Sequence, residues 1–294
     1  MLQHANPSPQ PPRRAVVLGA GGFVGAATAR RLEAAGVDVL RLGRPGLDLL
    51  SAGAADALAG ALKPDDALVV VSALAPCKDA TMMVANLRMI EPVCAALRRT
   101  PIAHLVYISS DAVYRDSATP LTEASCAEPG SAHGAMHRAR EVLLADVAKC
   151  PYAILRPTLI YGAEDPHNGY GPNRFRRLAA EGKEIVLFGE GEERRDHVLV
   201  DDVAELARLV LFHRSAGILN IATGDVTSFR AIAEKVAALA GSRSAIKSTP
   251  RQGPMPHNGY RPFDATGTAR AFPDFRYTKL DEGLALTQRR AAAR

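Results

Sequence analysis

A glycine-rich turn, Gly19-Ala-Gly-Gly-Phe-Val-Gly25, constrains this chain more than any other feature. It follows a short apolar run, Arg14–Leu18, that reads as a β-strand, and it opens a helical stretch from Ala26 to Ala35. In that setting glycines let the backbone approach a bulky anion, and the start of the helix offers free N–H groups with positive dipole charge. Gly19, Gly22 and Gly25, with Phe23 and Val24 between them, are therefore the candidate seat of a dinucleotide pyrophosphate. The spacing is G-x-x-G-x-x-G, not the G-x-G-x-x-G of many dinucleotide sites. A glycine turn without a ligand is the alternative.

The pattern downstream supports the strand–turn–helix reading. Strands are expected at Val37–Leu42, Ala67–Val71, His104–Ser109 and Tyr152–Leu155, with helices at Ala54–Leu62, Met82–Arg99 and Ala132–Ala148 between them. Such alternation implies βαβ units and a parallel sheet, an α/β doubly wound Rossmann architecture. After Tyr161 the pattern loosens into a Pro/Gly/Asn loop, Asp165–Pro172. A short strand at Ile185–Phe188, helices at Asp201–Phe212 and Phe229–Ala240, and turns over Pro250–Asp264 follow. The expected division is a disordered tail at 1–12 and a cofactor-binding domain at 13–165, joined by 197–222. A smaller C-terminal substrate domain is expected from 166–196 and 223–294.

The chain has 294 residues, 47% of them hydrophobic, enough for a large core. It has no stretch of 18 consecutive apolar residues, so no membrane span is expected. The Pro-rich N-terminus lacks the apolar core of a signal peptide. Four scattered cysteines, Cys77, Cys94, Cys126 and Cys150, suit reduced thiols and a cytoplasmic setting, with no metal site. The net charge of +5 is spread among acids, and aromatics are only 5% of residues, so no nucleic-acid partner is expected.

Sites that prefer NAD carry an acid at the carboxyl end of the second strand, to hold the ribose hydroxyls. Here that end reads Leu42-Gly-Arg44, and Asp38 sits at the opposite end. Arg44 points to a 2′-phosphate and hence to NADP over NAD; a solvated loop cation is the alternative. Asp48, followed by Leu49, is placed to accept from an adenine amino group or to cap a helix.

Five motifs in order then carry a resemblance. They are the glycine turn, Tyr107-Ile-Ser-Ser-Asp-Ala-Val-Tyr114, Leu155-Arg-Pro-Thr-Leu-Ile-Tyr-Gly162, Arg195-Asp-His-Val-Leu-Val-Asp-Asp-Val203, and Arg261-Pro-Phe-Asp264. From about Arg14 to its C-terminus the chain resembles the extended short-chain dehydrogenase/reductases, the NAD(P)-dependent epimerase/dehydratase family that acts on nucleotide sugars. The resemblance implies that Ser72, Ala73 and Leu74 line the cofactor and that Pro157 to Ile160 border the nicotinamide. It implies that Arg195 and Arg261 grip a nucleotide diphosphate, and that Ser110 and Asp111 face the sugar. Ala112, where dehydratases have a glutamate, argues against water elimination. Members of the family often pair as homodimers.

The chain departs from the family at its reacting centre. The Tyr-x-x-x-Lys pair is absent, for no tyrosine here has a lysine four residues later. His133-Gly-Ala-Met-His137 stands where the pair belongs. Residues four apart share a helix face. His133 can then move a proton at the substrate oxygen, and His137 can hydrogen-bond the nicotinamide ribose. Both charged at once would repel. Plain helix residues, a zinc pair without a third ligand, or a proton from Tyr114 or Tyr161 are the alternatives. The expected function is a nucleotide-sugar epimerase or 4-keto reductase; an inactive NADP-binding sensor is the competing reading.

Overall fold

The computed structural model describes residues 2–241 and 244–293. Met1 and Arg294, which end the segments delimited above, lie outside the described residues, as do Ser242 and Arg243. The elements run in chain order from β1 (Gln3–His4), β2 (Arg14–Leu18), α1 (Phe23–Ala34) and β3 (Asp38–Leu42) to α2 (Ala54–Ala61) and β4 (Asp66–Val70). Next come α3 (Ala80–Arg99), β5 (His104–Ile108), α4 (Ala132–Val147), β6 (Tyr152–Pro157), β7 (Leu159–Tyr161) and α5 (Pro172–Ala180). β8 (Ile185–Phe188), β9 (Arg194–Leu199), α6 (Val200–Phe212) and β10 (Ser215–Ile221) follow. The last are β11 (Val226–Ser228), α7 (Phe229–Leu239), β12 (Ile246–Thr249), β13 (Tyr260–Arg261), α8 (Thr266–Ala271) and α9 (Leu280–Ala292).

Seven strands form the central sheet in the order β1-β10-β6-β5-β4-β2-β3. All pairs are parallel except β1 with β10. Alternate residues of each inner strand serve opposite faces, so both faces must be apolar. Ala15, Val17, Ala67, Val69, Val106 and Ile108 meet α1 and α6 through Ala29, Leu32, Val203 and Leu206. Val16, Leu18, Leu68, Val70, Leu105 and Tyr107 meet α2, α3 and α4 through Leu58, Ile90, Val93 and Leu144. The chain steps outward from β2 to β3, then crosses back to β4. The switch point therefore lies at the carboxyl ends of β2 and β4, where doubly wound sheets leave a crevice.

The remaining strands make two small sheets, β11-β9-β13 with β7 on β9, and β12-β8. They enclose a separate core of Tyr161, Phe175, Ile185, Leu187, Phe229 and Ile232. By length and composition, α3 is the one described helix able to cross a membrane. Here its Ile90, Val93 and Leu97 pack onto the central sheet.

The expected disordered tail is corrected. Gln3 and His4 pair antiparallel with Ala216 and Ser215, and Asn6 and Gln10 donate to His213 and Phe212 carbonyls. An edge strand offers unpaired backbone groups, and this segment takes them. Beside it, His104 Nε2 sits 2.7 Å from the Ser215 carbonyl, and burial pushes the imidazole pKa down to about 4.

Unfolded, that imidazole titrates near 6.5, so the unfolded chain binds the extra proton between those values. The group's contribution is complete above pH 6.5 and is lost as pH falls toward 4, by roughly 3 kcal/mol in all. Urea unfolding of the native chain and of His104→Gln at pH 7.5 and 4.5 isolates this contribution as a difference. The variant is expected to reduce the dependence, to which His133, His137 and His197 also contribute.

Candidate active site

The glycine turn is built for a close approach. Gly19 has φ +100°, and a Cβ there would lie 2.6 Å from the Ser72 backbone nitrogen. A Cβ on Gly25 would lie 2.1 Å from the Gly19 carbonyl oxygen. α1 thus starts directly against β2 and β4. Its N-cap, Gly22, supplies no side-chain cap, and its first turn holds no acid. The leading N–H groups of this 12-residue helix face a cleft of about 700 Å³, with Gly19, Gly22, Phe23, Val24 and Gly25 in its wall. This cradle fits a dinucleotide pyrophosphate.

The cleft collects most of the residues singled out above. Arg44, Asp48, Leu49, Ser72, Ala73, Leu74, Pro157, Ile160, Ser110, Asp111, His133, His137 and Arg195 all line it. Arg44 and Asp48 are exposed at the rim, and one Asp48 carboxylate oxygen already accepts from the Leu50 N–H at 3.0 Å. The wall from Ser72 to Leu74 is held from behind. Buried Asn86 accepts the Leu74 N–H at 2.8 Å and donates to the Leu74 carbonyl at 3.0 Å. Buried Arg140 donates to the Ser72 carbonyl at 2.7 Å. Asn86→Ala is expected to loosen this wall and weaken NADPH binding about tenfold, the loss of roughly one net hydrogen bond, measured by calorimetry.

Arg261 does not line the cleft. It is 1% exposed, with Nε on Asp111 at 3.1 Å and Nη1 on Asp116 at 2.6 Å. Its remaining group donates to the Asp111 and Tyr114 carbonyls. The guanidinium therefore fixes Asp111 and the turn that carries it. Arg195 lines the cleft, donates to Glu193 at 3.4 Å and pairs with Asp111 at 3.8 Å, so it keeps one long hydrogen bond and a looser ion pair while part of its guanidinium meets the cleft. Tyr114 donates to Asn220 at 2.6 Å and the Tyr161 hydroxyl abuts Gly283, so neither tyrosine serves the cleft. The tyrosine that does line it is Tyr170, with His197 beside it. His197 donates from Nδ1 to the Arg195 carbonyl, and burial holds its pKa at about 3.

Helix α4 carries the two histidines to the end of β5. A Cβ on Gly134 would meet the Ala112 carbonyl oxygen at 2.0 Å, so only glycine lets α4 lie this close to the Asp111–Val113 turn. Ser110 begins that turn, its hydroxyl accepting the Ala112 N–H at 3.1 Å. Glu141 locks the helix register, accepting from Ser109 at 2.6 Å and from both arms of Arg156 at 2.9 and 2.7 Å.

His133 and His137 stand edge to face with ring centroids 4.7 Å apart. Cys77 N–H donates to His133 Nδ1 at 3.3 Å, and the Tyr107 hydroxyl lies 2.7 Å from His137 Nδ1. Burial depresses both imidazole pKa values, well below the usual range for His137, where His133 and Arg140 push the same way; Asp111 partly offsets it for His133. Both rings are neutral at pH 7. Asn86, Tyr107, Arg140 and Glu141 escaped the sequence reading, because each acts on a partner 12 or more residues away.

A sequence profile of the NAD dependent epimerase/dehydratase family matches residues 15–222. The chain belongs to that family. Within it, a UDP-glucose 4-epimerase of Mycolicibacterium smegmatis is 28% identical over 274 residues, covering 78% of this chain and 83% of that protein. A dTDP-L-rhamnose 4-epimerase of Burkholderia thailandensis is 34% identical over 122 residues, 39% of this chain and 34% of its own length. The fold matches a UDP-glucose 4-epimerase of Thermus thermophilus solved with NAD, at TM-score 0.82 and 22% identity over 95% of this chain and 99% of that one. It matches a GDP-L-fucose synthetase of Naegleria fowleri bound to NADP at TM-score 0.81 and 16% identity, over 98% and 96% of the two chains. These structural likenesses concern architecture.

Proposed function

We propose that this epimerase/dehydratase family member is an NADP-dependent enzyme that epimerises or reduces C4 of a nucleotide-activated sugar. The observation that carries the proposal is one continuous cleft. It runs from the glycine turn past Ser110, His133 and His137 to Arg195 and His197. The relatives named for UDP- and dTDP-sugar epimerisation support the substrate class.

A nicotinamide dinucleotide, when bound, supplies or accepts hydride at its ring. The first N–H groups of α1 would hold the pyrophosphate, Arg44 a 2′-phosphate, and Pro157 to Ile160 the wall beside the ring. His137 would hydrogen-bond the nicotinamide ribose. Ser110 and His133 would hold the substrate's C4 oxygen and handle its proton, with Asp111 beside them. Arg195 would take the diphosphate alone, since Arg261 is spent on Asp111 and Asp116. The small sheets around β9 form the substrate lobe in this reading.

Unpaired cysteines suit a cytoplasmic setting. A homodimer through α3 and α4 is part of the same proposal, supported by exposed Val84, Val142 and Leu143 on those helices, and sedimentation measures it.

The test is a panel of UDP-, dTDP- and GDP-linked 4-hydroxy and 4-keto sugars with NADPH, NADH and their oxidised forms. Reduced nicotinamide is followed by absorbance and C4 configuration by NMR, because an epimerase recycles its cofactor silently. Tight cofactor binding with no turnover across the panel would favour the sensor. Arg44→Ala is expected to lower the NADP/NAD affinity ratio about 10- to 100-fold, the loss of a charge-assisted contact. An unchanged ratio removes the 2′-phosphate assignment.

A further inference from the structure

The hydrogen bonds on the far side of the two imidazoles fix what each ring presents to the cleft. In a neutral imidazole one nitrogen donates and the other accepts, and the bond made by one sets the role of its partner. A backbone N–H has only a proton to give. Cys77 N–H therefore makes His133 Nδ1 an acceptor and leaves the ring proton on Nε2. The Tyr107 hydroxyl is buried, and His137 Nδ1 is its one hydrogen-bond partner among the described residues. Directing the O–H at that nitrogen satisfies it; the opposite arrangement strands a buried hydroxyl proton at a cost of about 1–3 kcal/mol. His137 then also carries its proton on Nε2. Among the described residues, no hydrogen bond reaches either Nε2, and both rings line the cleft.

We infer that Tyr107 and the Cys77 peptide are positioning groups that set both histidines as neutral Nε2–H donors, His133 toward the substrate oxygen and His137 toward the cofactor ribose. The depressed imidazole pKa values and a Tyr107 hydroxyl pushed up to about 12 by burial agree with that wiring. With the ring proton already on Nε2, that nitrogen has no lone pair to accept another; it could act as a base only if the proton moved to Nδ1, which the Cys77 N–H occupies. His133 is thus built to polarise a carbonyl by hydrogen bonding, as a neutral imidazole does at other carbonyl centres. It is poorly suited to remove a proton from a hydroxyl. The inference rests on the nucleotide-sugar reading and narrows His133's part in it from moving the C4 proton to hydrogen-bonding the C4 oxygen, as carbonyl or alkoxide; the proton on that oxygen is exchanged with solvent water, whichever way the hydride passes.

The experiment is a long-range ¹H–¹⁵N correlation spectrum of the full chain labelled at histidine, at pH 7.5, with His133→Gln and His137→Gln spectra for assignment. Both rings are expected as the neutral Nε2–H tautomer. Addition of NADP⁺ is expected to move the His137 Nε2 resonance without changing its tautomer. In Tyr107→Phe, His137 is expected to become a mixture of tautomers while His133 stays fixed, and KM for NADPH to rise severalfold with kcat less affected. An Nδ1–H tautomer or an imidazolium at either position overturns the inference, as does an unchanged His137 in Tyr107→Phe. The wild-type spectrum needs no substrate, so failure of the wiring and failure of the proposed activity are read separately.

Discussion

Gly25→Ala is expected to abolish measurable NADPH binding, raising Kd at least about 100-fold, and to lower Tm by roughly 5–10 °C. The new Cβ would sit 2.1 Å from the Gly19 carbonyl oxygen, a rigid backbone atom that cannot rotate away. Either α1 shifts outward or the turn unwinds. Both move the leading N–H groups that would hold the pyrophosphate. Overpacking against backbone costs about 1–3 kcal/mol or more, and in a chain of this size each kcal/mol moves Tm by about 2–4 °C. Gly21→Ala is the internal control, since its Cβ would meet nothing within 4 Å. It is expected to leave Tm within about 1 °C. Calorimetry with NADPH and thermal unfolding check the pair together. Equal Tm values for the two variants would mean that the contact between α1 and the turn is not as tight as described.

The second large effect is at His133. His133→Ala is expected to lower kcat about 10²- to 10³-fold with KM little changed, because the group acts on charge that develops in the transition state. His133→Gln, which keeps an N–H donor at similar reach, is expected to recover part of that loss. The pH profile gives the sign. The neutral ring is the working form, and burial holds its pKa below the usual 6.5. Turnover should therefore be flat through neutrality and fall only as acid protonates the imidazole, below pH 6.5. A rate that climbs on acidification through that range would identify the imidazolium as the working form.

Sequence reading carried far in the first half of the chain and less far in the second, for physical reasons. Arg14–Leu18 and Ile185–Phe188 were delimited as found, since short apolar runs bounded by turns have few alternatives. β10, Ser215–Ile221, was not seen. Its Gly217 and Asn220 blur the apolar run, yet it completes the central sheet beside β6. α9 was likewise missed, because its first turn is acidic and only Gly283, Leu284 and Thr287 are buried.

The cleft-lining residues were legible because local motifs hold them: the glycine turn, the run from Tyr107 to Tyr114, and the His-x-x-x-His spacing. Arg261, which the resemblance assigns to a nucleotide diphosphate, instead faces Asp111 and Asp116. Which acid captures an arginine depends on packing between β13 and the turn after β5, and spacing does not encode that. The groups behind the site, Asn86, Tyr107, Arg140 and Glu141, look like ordinary helix and strand residues until the sheet brings their partners near.

In the reading proposed, the cleft seats a nicotinamide over two histidine donors. A crystal structure of the chain with NADP⁺ tests it most directly. The pyrophosphate is expected on the N–H groups at the start of α1 and the 2′-phosphate at Arg44. A nicotinamide ribose hydroxyl is expected within hydrogen-bond reach, roughly 3 Å, of His137 Nε2, with His133 Nε2 facing the open side of the ring. A ribose held elsewhere, with both imidazoles turned away from the nicotinamide, would contradict it.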